Sequence, residues 1–146
     1  MTQYLALLRG INVGAANRIR MDALKLLFEQ AGFSSVETFI QSGNVLFCSP
    51  EPENAVVLKA EQALLDNAGI RTNVILRSAE ELARAVSQLP FSQEEIASAA
   101  ARNQEGESLY LLFAAQAPQD ASKFEQTGLL IEGDAFRLAG RDGYLL

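Results

Sequence analysis

Arg9-Gly10-Ile11-Asn12-Val13-Gly14-Ala15-Ala16-Asn17-Arg18-Ile19-Arg20 stands between an apolar run, residues 4–8, and an amphipathic run that begins at Met21. Two glycines, two asparagines and three arginines fall in these twelve residues, and no acidic residue precedes Asp22. A strand, a glycine-rich loop and a helix are therefore expected in that order. Residues 3–8 are nearly all apolar, as befits a central strand covered on at least one face. In residues 21–31, Leu24, Leu27, Phe28 and Ala31 form one helical stripe, and Gly32 follows as a left-handed stop.

Working outward, residues 36–41 and 45–48 read as a hairpin around Ser42-Gly43-Asn44, because Gly and Asn tolerate positive φ. Pro50 and Pro52 break the chain, and a second helix over residues 54–67 ends at Gly69. Residues 72–77 are a β-branched fourth strand. Ser78-Ala79-Glu80-Glu81 is a capping box that opens a third helix, whose apolar positions are Leu82, Val86 and Leu89, before Pro90. Ser92-Gln93-Glu94-Glu95 repeats that signature ahead of an Ala-rich helix. Residues 103–107 are polar and mark a seam. Beyond it come a strand at 109–113, a short helix at 118–127 started by Pro118 and ended by Gly128, and two strands at 135–139 and 143–146.

The order is βαββαβ, then helices, then βαββ. The fold class is α+β: a ferredoxin-like βαββαβ unit over residues 1–78, linking helices over 79–107, and a second, partial βαββ unit over 108–146. Right-handed crossovers place the third strand between the first and second. The loop leaving strand one, the Ser42-Gly43-Asn44 turn and the segment Arg71-Thr72-Asn73 should then share one end of the sheet. Cys48 and Arg77 should lie at the other.

The 146 residues suffice for one ordinary domain with a core. The net charge of −6 disfavours a generic nucleic-acid or membrane binder. Charge is uneven: residues 1–50 hold four basic and three acidic side chains, the remainder eight and fifteen. A small positive site on an acidic body suits a small anionic ligand. Tyr4 and Phe47, on strands one and three, lack the aromatic-basic signature of RNA-binding sheets. No apolar run reaches the ~20 residues of a membrane helix and no secretory signal pattern opens the chain, so a cytoplasmic location is expected. With no histidine a Ser-His-Asp triad is impossible, with only one cysteine besides a zinc site is disfavoured, and no metal ligand set is assigned. Cys48 reads as a structural, partly buried thiol.

Ala6-Leu7-Leu8-Arg9-Gly10-Ile11-Asn12-Val13-Gly14 and Gln41-Ser42-Gly43-Asn44-Val45 resemble the bacterial family described as domain of unknown function 1697. The likeness continues through Asn17, Ile19, Met21, Gly32-Phe33, Val36 and Thr38, then Arg77, Glu81-Leu82, Pro90-Phe91 and Phe136-Arg137-Leu138 to Tyr144. It implies no particular reaction, cofactor or partner. Two departures stand out. Ala15 occupies a place where similar proteins often carry a second glycine. Similar proteins also continue beyond the strand at Tyr144 into a Thr-Arg-Asn-Trp-Asn-Thr-like tail, whereas this chain has no tryptophan.

Two functional readings follow. In the first, the glycine loop offers backbone N–H groups to an anion, helped by the dipole of the next helix. Arg9 and Arg18 hold the charge, with Arg20 a further candidate. Gly10, Gly14 and Asn17 shape the loop, Asn12 and Asn44 orient the ligand, and Ser42 and Gly43 complete the edge. The ligand is phosphate- or nucleotide-like, although the spacing matches neither the Walker pattern nor the dinucleotide fingerprint. No catalytic residue and no cofactor are assigned. In the second reading the same loop is a structural or protein-interaction element with no small-molecule ligand.

Overall fold

Among the described residues, seven strands, β1 to β7, make two small antiparallel sheets, with helices beside them. In the computed structural model, residues 1–104, 106–120, 122–125 and 133–146 are described, the side chains of 124 and 125 excepted. The chain divides into two compact units, Met1–Ala83 and Arg84–Leu146.

The first unit contains β1 (Thr2–Leu8), α1 (Met21–Gln30), β2 (Ser34–Phe39), β3 (Asn44–Ser49), α2 (Glu53–Ala68) and β4 (Val74–Ser78). Its sheet has the order β2-β3-β1-β4, and every neighbouring pair is antiparallel. Period-two alternation puts Tyr4, Ala6 and Leu8 of β1 on the covered face with Val45 and Phe47 of β3 and Val74 and Leu76 of β4. Leu24, Leu27 and Phe28 of α1 and Val56, Ala60 and Leu64 of α2 complete the core. Phe28, Phe33 and Phe47 form its aromatic centre, with centroids 4.6–5.5 Å apart. Tyr4 stacks near Phe47 at 5.9 Å, and both are buried, so neither ring is offered as a stacking surface. Gly32 and Gly69 stop their helices at φ 96 and φ 64, in the left-handed region.

The boundaries of β2, β3 and β4 differ from expectation. β2 starts and ends two residues early, at Ser34–Phe39, and the turn is the four residues 40–43. Asn44 belongs to β3, because it pairs with Phe39 on one side and Leu7 on the other. β4 begins at Val74 rather than at residue 72, since Thr72 and Asn73 are engaged with Arg9.

α3 (Ala79–Ser87) opens on the expected capping box: the Glu81 N–H donates to Ser78 Oγ at 3.2 Å, and the Ser78 N–H donates to Glu81 Oε2 at 2.8 Å. Its buried position is Ala85, while Val86, expected on the apolar stripe, is 65% exposed. The Tyr144 hydroxyl donates to the Ala85 carbonyl at 3.1 Å.

The second unit contains α4 (Gln93–Arg102), β5 (Tyr110–Phe113), α5 (Ser122–Glu125), β6 (Phe136–Ala139) and β7 (Asp142–Leu145). Its sheet order, β5-β7-β6, puts the last strand between the other two, as β3 lies between β1 and β2. Phe91, Ala99, Tyr144 and Leu146 form its core. Described helix here starts at Ser122 rather than Pro118. Asp120 accepts from the Ser122 N–H at 3.1 Å. The expected continuation over 126–127 and the stop at Gly128 lie outside the described residues. Among the described residues no helix is long and apolar enough to cross a membrane.

Candidate functional site

The loop between β1 and α1 is held from both sides at its base. The Leu8 N–H donates to the Gly43 carbonyl at 3.1 Å, and the Arg9 N–H to the Asn73 carbonyl at 3.5 Å. Thr72 Oγ1 donates to the Arg9 carbonyl at 2.5 Å. The ends of β1, β3 and β4 therefore meet at one end of the sheet, together with the turn over residues 40–43. The Cys48–Gln3 and Arg77–Leu5 pairs mark the opposite end.

Ile11 pins the loop into the core at 2% exposure. Asn12 then ties it to the neighbouring turn. Its Nδ2 donates to the Gln41 carbonyl at 3.0 Å, and its Oδ1 accepts from the Ile19 N–H at 2.8 Å. Asn17 Nδ2 donates to the Gly10 carbonyl at 3.5 Å, and Arg18 Nε to the Gly14 carbonyl at 2.8 Å. Asn12 and Asn17 both adopt left-handed backbone, at φ 54 and φ 53, a conformation that asparagine tolerates better than most residues. Asn12 and Asn17 thus close the loop on itself. The N–H groups of residues 13–16 at its exposed tip donate to nothing among the described residues.

The three arginines of the loop have different environments. Arg20 is occupied: its guanidinium donates to both carboxylate oxygens of Asp22 at 3.1 Å. That contact, then the Ala23 N–H, holds the Asp22 carboxyl below its ordinary range. Because Asp22 also accepts from the Ala23 N–H at 2.9 Å, an acid of the chain itself sits on the first turn of α1. The helix dipole invoked from the sequence is already answered there. Arg18 uses only Nε, and its terminal nitrogens have no hydrogen-bond partner among the described residues. The exposed Arg9 side chain likewise makes no hydrogen bond or ion pair among them.

A surface depression of about 330 Å³ opens between the loop and the turn, lined by Asn12, Arg18, Ile19, Arg20, Met21 and Gln41. Of the residues expected to carry the site, Asn12 and Arg18 line it. Gly10, Gly14 and Asn17 serve it through the shape of the loop. Arg9, Ser42, Gly43 and Asn44 do not line it. Ser42 Oγ accepts from Asn44 Nδ2 at 3.1 Å, and Gly43 backs onto Ile11 and Leu8. Arg20, the further candidate, lines it too, and Gln41 is a lining residue outside the expected set. Exposed Arg71 is a further neighbour of this end of the sheet, next to Thr72. The strand topology alone places it there, but nothing in its own sequence context marks it.

A family model described as "Protein of unknown function (DUF1697)" matches residues 1–144. The chain is also similar to a solved structure, that of the conserved bacterial protein SP0830 from Streptococcus pneumoniae. The TM-score is 0.73 at 24% sequence identity, over 99% of this chain and 75% of that one. At that identity the likeness is one of fold. No curated protein matches the sequence.

Proposed function

Taking as premise that the chain belongs to the DUF1697 family, we propose that it binds a small anionic, phosphate-like ligand in the depression between residues 9–20 and 40–43. The observation that carries this reading is Arg18, braced by Gly14 through Nε with its terminal nitrogens unpartnered among the described residues, on the wall of that depression. A guanidinium held at one nitrogen is preorganised to donate with the others, and charge-assisted bonds are the strong ones. Arg9 lies along the same end of the sheet and adds field rather than contact. Asn12 acts through the loop, since both ends of its amide are engaged within it.

The first unit is read, in the same proposal, as a ferredoxin-like sandwich. The strand order β2-β3-β1-β4 and the antiparallel pairing of all neighbours support that reading, and the order β5-β7-β6 supports a related three-strand unit after it.

A second reading, a structural or protein-interaction module, is favoured by the number of loop side chains that serve the fold: Asn12, Asn17 and Ile11. Calorimetric titration with inorganic phosphate, a sugar phosphate and a dicarboxylate separates the two. The binding reading expects saturable heat with at least one anion. Arg18→Ala should weaken that binding roughly 10- to 100-fold while leaving the ligand-free unfolding midpoint in place. No heat with any anion, together with a lowered midpoint or an altered oligomer in Arg18→Ala, puts the structural module in its place.

A further inference from the structure

Arg18 and Arg20 both line the depression, but on different terms. Along this segment burial alternates: Arg18 and Arg20 are exposed, whereas Ile19 and Met21 are half-buried and packed against the core. The apolar residues anchor the segment and leave both guanidiniums outside. No carboxylate is among the lining residues. Depressions of about 370 and 320 Å³ in the second unit differ in this respect, since Glu107 and Asp134 line the first and Glu94 and Glu95 the second. Two cations on a lining without an acid exceed what a singly charged ligand needs.

Arg18 is braced on the Gly14 carbonyl through Nε, a contact that leaves its charge uncompensated. Arg20 is instead paired with Asp22, through Nε and Nη2, and its Nη1 has no hydrogen-bond partner among the described residues. That pair lies in solvent, with the two side chains 85% and 70% exposed. An ion pair so exposed contributes little to stability, so Arg20 can change partner at small cost. Asp22 keeps a partner of its own when it does, because it also accepts from the Ala23 N–H on the first turn of α1. A singly charged anion is answered by Arg18 alone. A phosphate monoester carries close to two charges at neutral pH, and a second charge-assisted contact outweighs the exposed pair that Arg20 gives up. We infer that the depression selects a dianionic phosphate monoester over a phosphodiester, with Arg18 as the standing contact and Arg20, drawn from Asp22 onto the ligand, as the residue that determines this selectivity. This rests on the anion-binding reading above and adds to it the class of phosphate and the part of Asp22 as an internal competitor.

The test is calorimetric titration of the whole chain with inorganic phosphate, methyl phosphate and dimethyl phosphate at about pH 8, where the monoester carries two charges and the diester one. Wild type, Arg18→Ala, Arg20→Ala and Asp22→Asn are compared. The three side chains are exposed, and asparagine at position 22 can still accept from the Ala23 N–H, so the variants should remain folded. Wild type should bind methyl phosphate roughly tenfold or more tighter than dimethyl phosphate. Arg20→Ala should erase that preference and leave the diester affinity unchanged. Asp22→Asn, which frees Arg20, should tighten methyl phosphate roughly threefold or more. Arg18→Ala should weaken both esters. Equal wild-type affinity for the two esters, a preference that survives Arg20→Ala, methyl phosphate binding that Asp22→Asn does not tighten, or binding of inorganic phosphate alone overturns this inference and leaves anion binding standing. Absence of binding by all three ligands overturns both.

Discussion

Gly43 and Gly14 have similar positive φ angles, 86 and 69, yet they differ in what surrounds them. A Cβ on Gly14 would meet nothing within 4 Å. One on Gly43 would come within 2.6 Å of Ile11 Cγ1 and 3.1 Å of Leu8 Cβ. Ile11 is buried, so it cannot swing aside without opening the core at the end of β1. Gly14→Ala should therefore cost about 1 kcal/mol, the backbone contribution alone. Gly43→Ala should cost about 2–4 kcal/mol, because backbone strain and overpacking act together. Denaturant unfolding of the two variants, with the slope against denaturant unchanged, measures the difference. In the sequence the two glycines look alike, as turn formers. The contact that separates them joins residues remote along the chain. The same holds for the arginines: Arg18 and Arg20 are neighbours with one residue between them, but Asp22 takes one and the Gly14 carbonyl only part of the other.

Elements were legible where their signals are local. The Ser92 capping box is written in four consecutive residues and is present in full: the Glu95 N–H donates to Ser92 Oγ at 3.1 Å, and the Ser92 N–H to Glu95 Oε2 at 2.7 Å. Ser92→Ala removes one half of it and should cost about 1 kcal/mol. Equilibrium unfolding checks this, with Ser92→Thr expected to retain most of the stability. Signals that depend on a partner were read less well. Periodicity marked Leu82, Val86 and Leu89 as an apolar face; Leu82 is half-buried and Leu89 packs against the second core, but Val86 is exposed and the buried position of α3 is Ala85. The Tyr144 hydroxyl bonds the Ala85 carbonyl, a contact remote in sequence that helical periodicity does not show. The β2–β3 turn moved for a similar reason. Turn chemistry at Ser42-Gly43-Asn44 is local, but the pairing of Asn44 with both β2 and β1 is not.

Across the molecule, each unit has its own core, and long-range polar contacts add to the apolar packing. In the second unit the clearest joins α4 to β6. Arg137 donates to Glu95 Oε1 at 2.7 Å and to the Pro90 carbonyl, and its guanidinium lies 4.7 Å from the Phe91 ring centroid. The Arg137 guanidinium first, and the Ser92 N–H second, hold the Glu95 carboxyl down at about 2. A carboxyl whose folded value is depressed stabilises the fold above its unfolded value, and that contribution is lost as pH falls through the folded one. The thermal midpoint of wild type should thus exceed that of Glu95→Gln at neutral pH. The gap should shrink between about pH 5 and pH 2 and narrow in high salt, since the pair is partly exposed. A gap independent of pH would show that the carboxylate charge is not what Arg137 recognises. The order of strands and helices in the first unit, the helix stops at Gly32 and Gly69, both capping boxes and family membership could be read from the sequence alone, because each depends on residues a few positions apart or on a linear motif. The strand order expected from right-handed crossovers also placed the loop beside the turn. The depression itself, the different surroundings of Arg9, Arg18 and Arg20, the ties that Asn12 makes to Gln41 and Ile19, and the tight fit of Gly43 against Ile11 were decided by tertiary structure. They are set by which carbonyls, carboxylates and side chains folding brings within a few ångströms, and no local pattern in the chain carries that information.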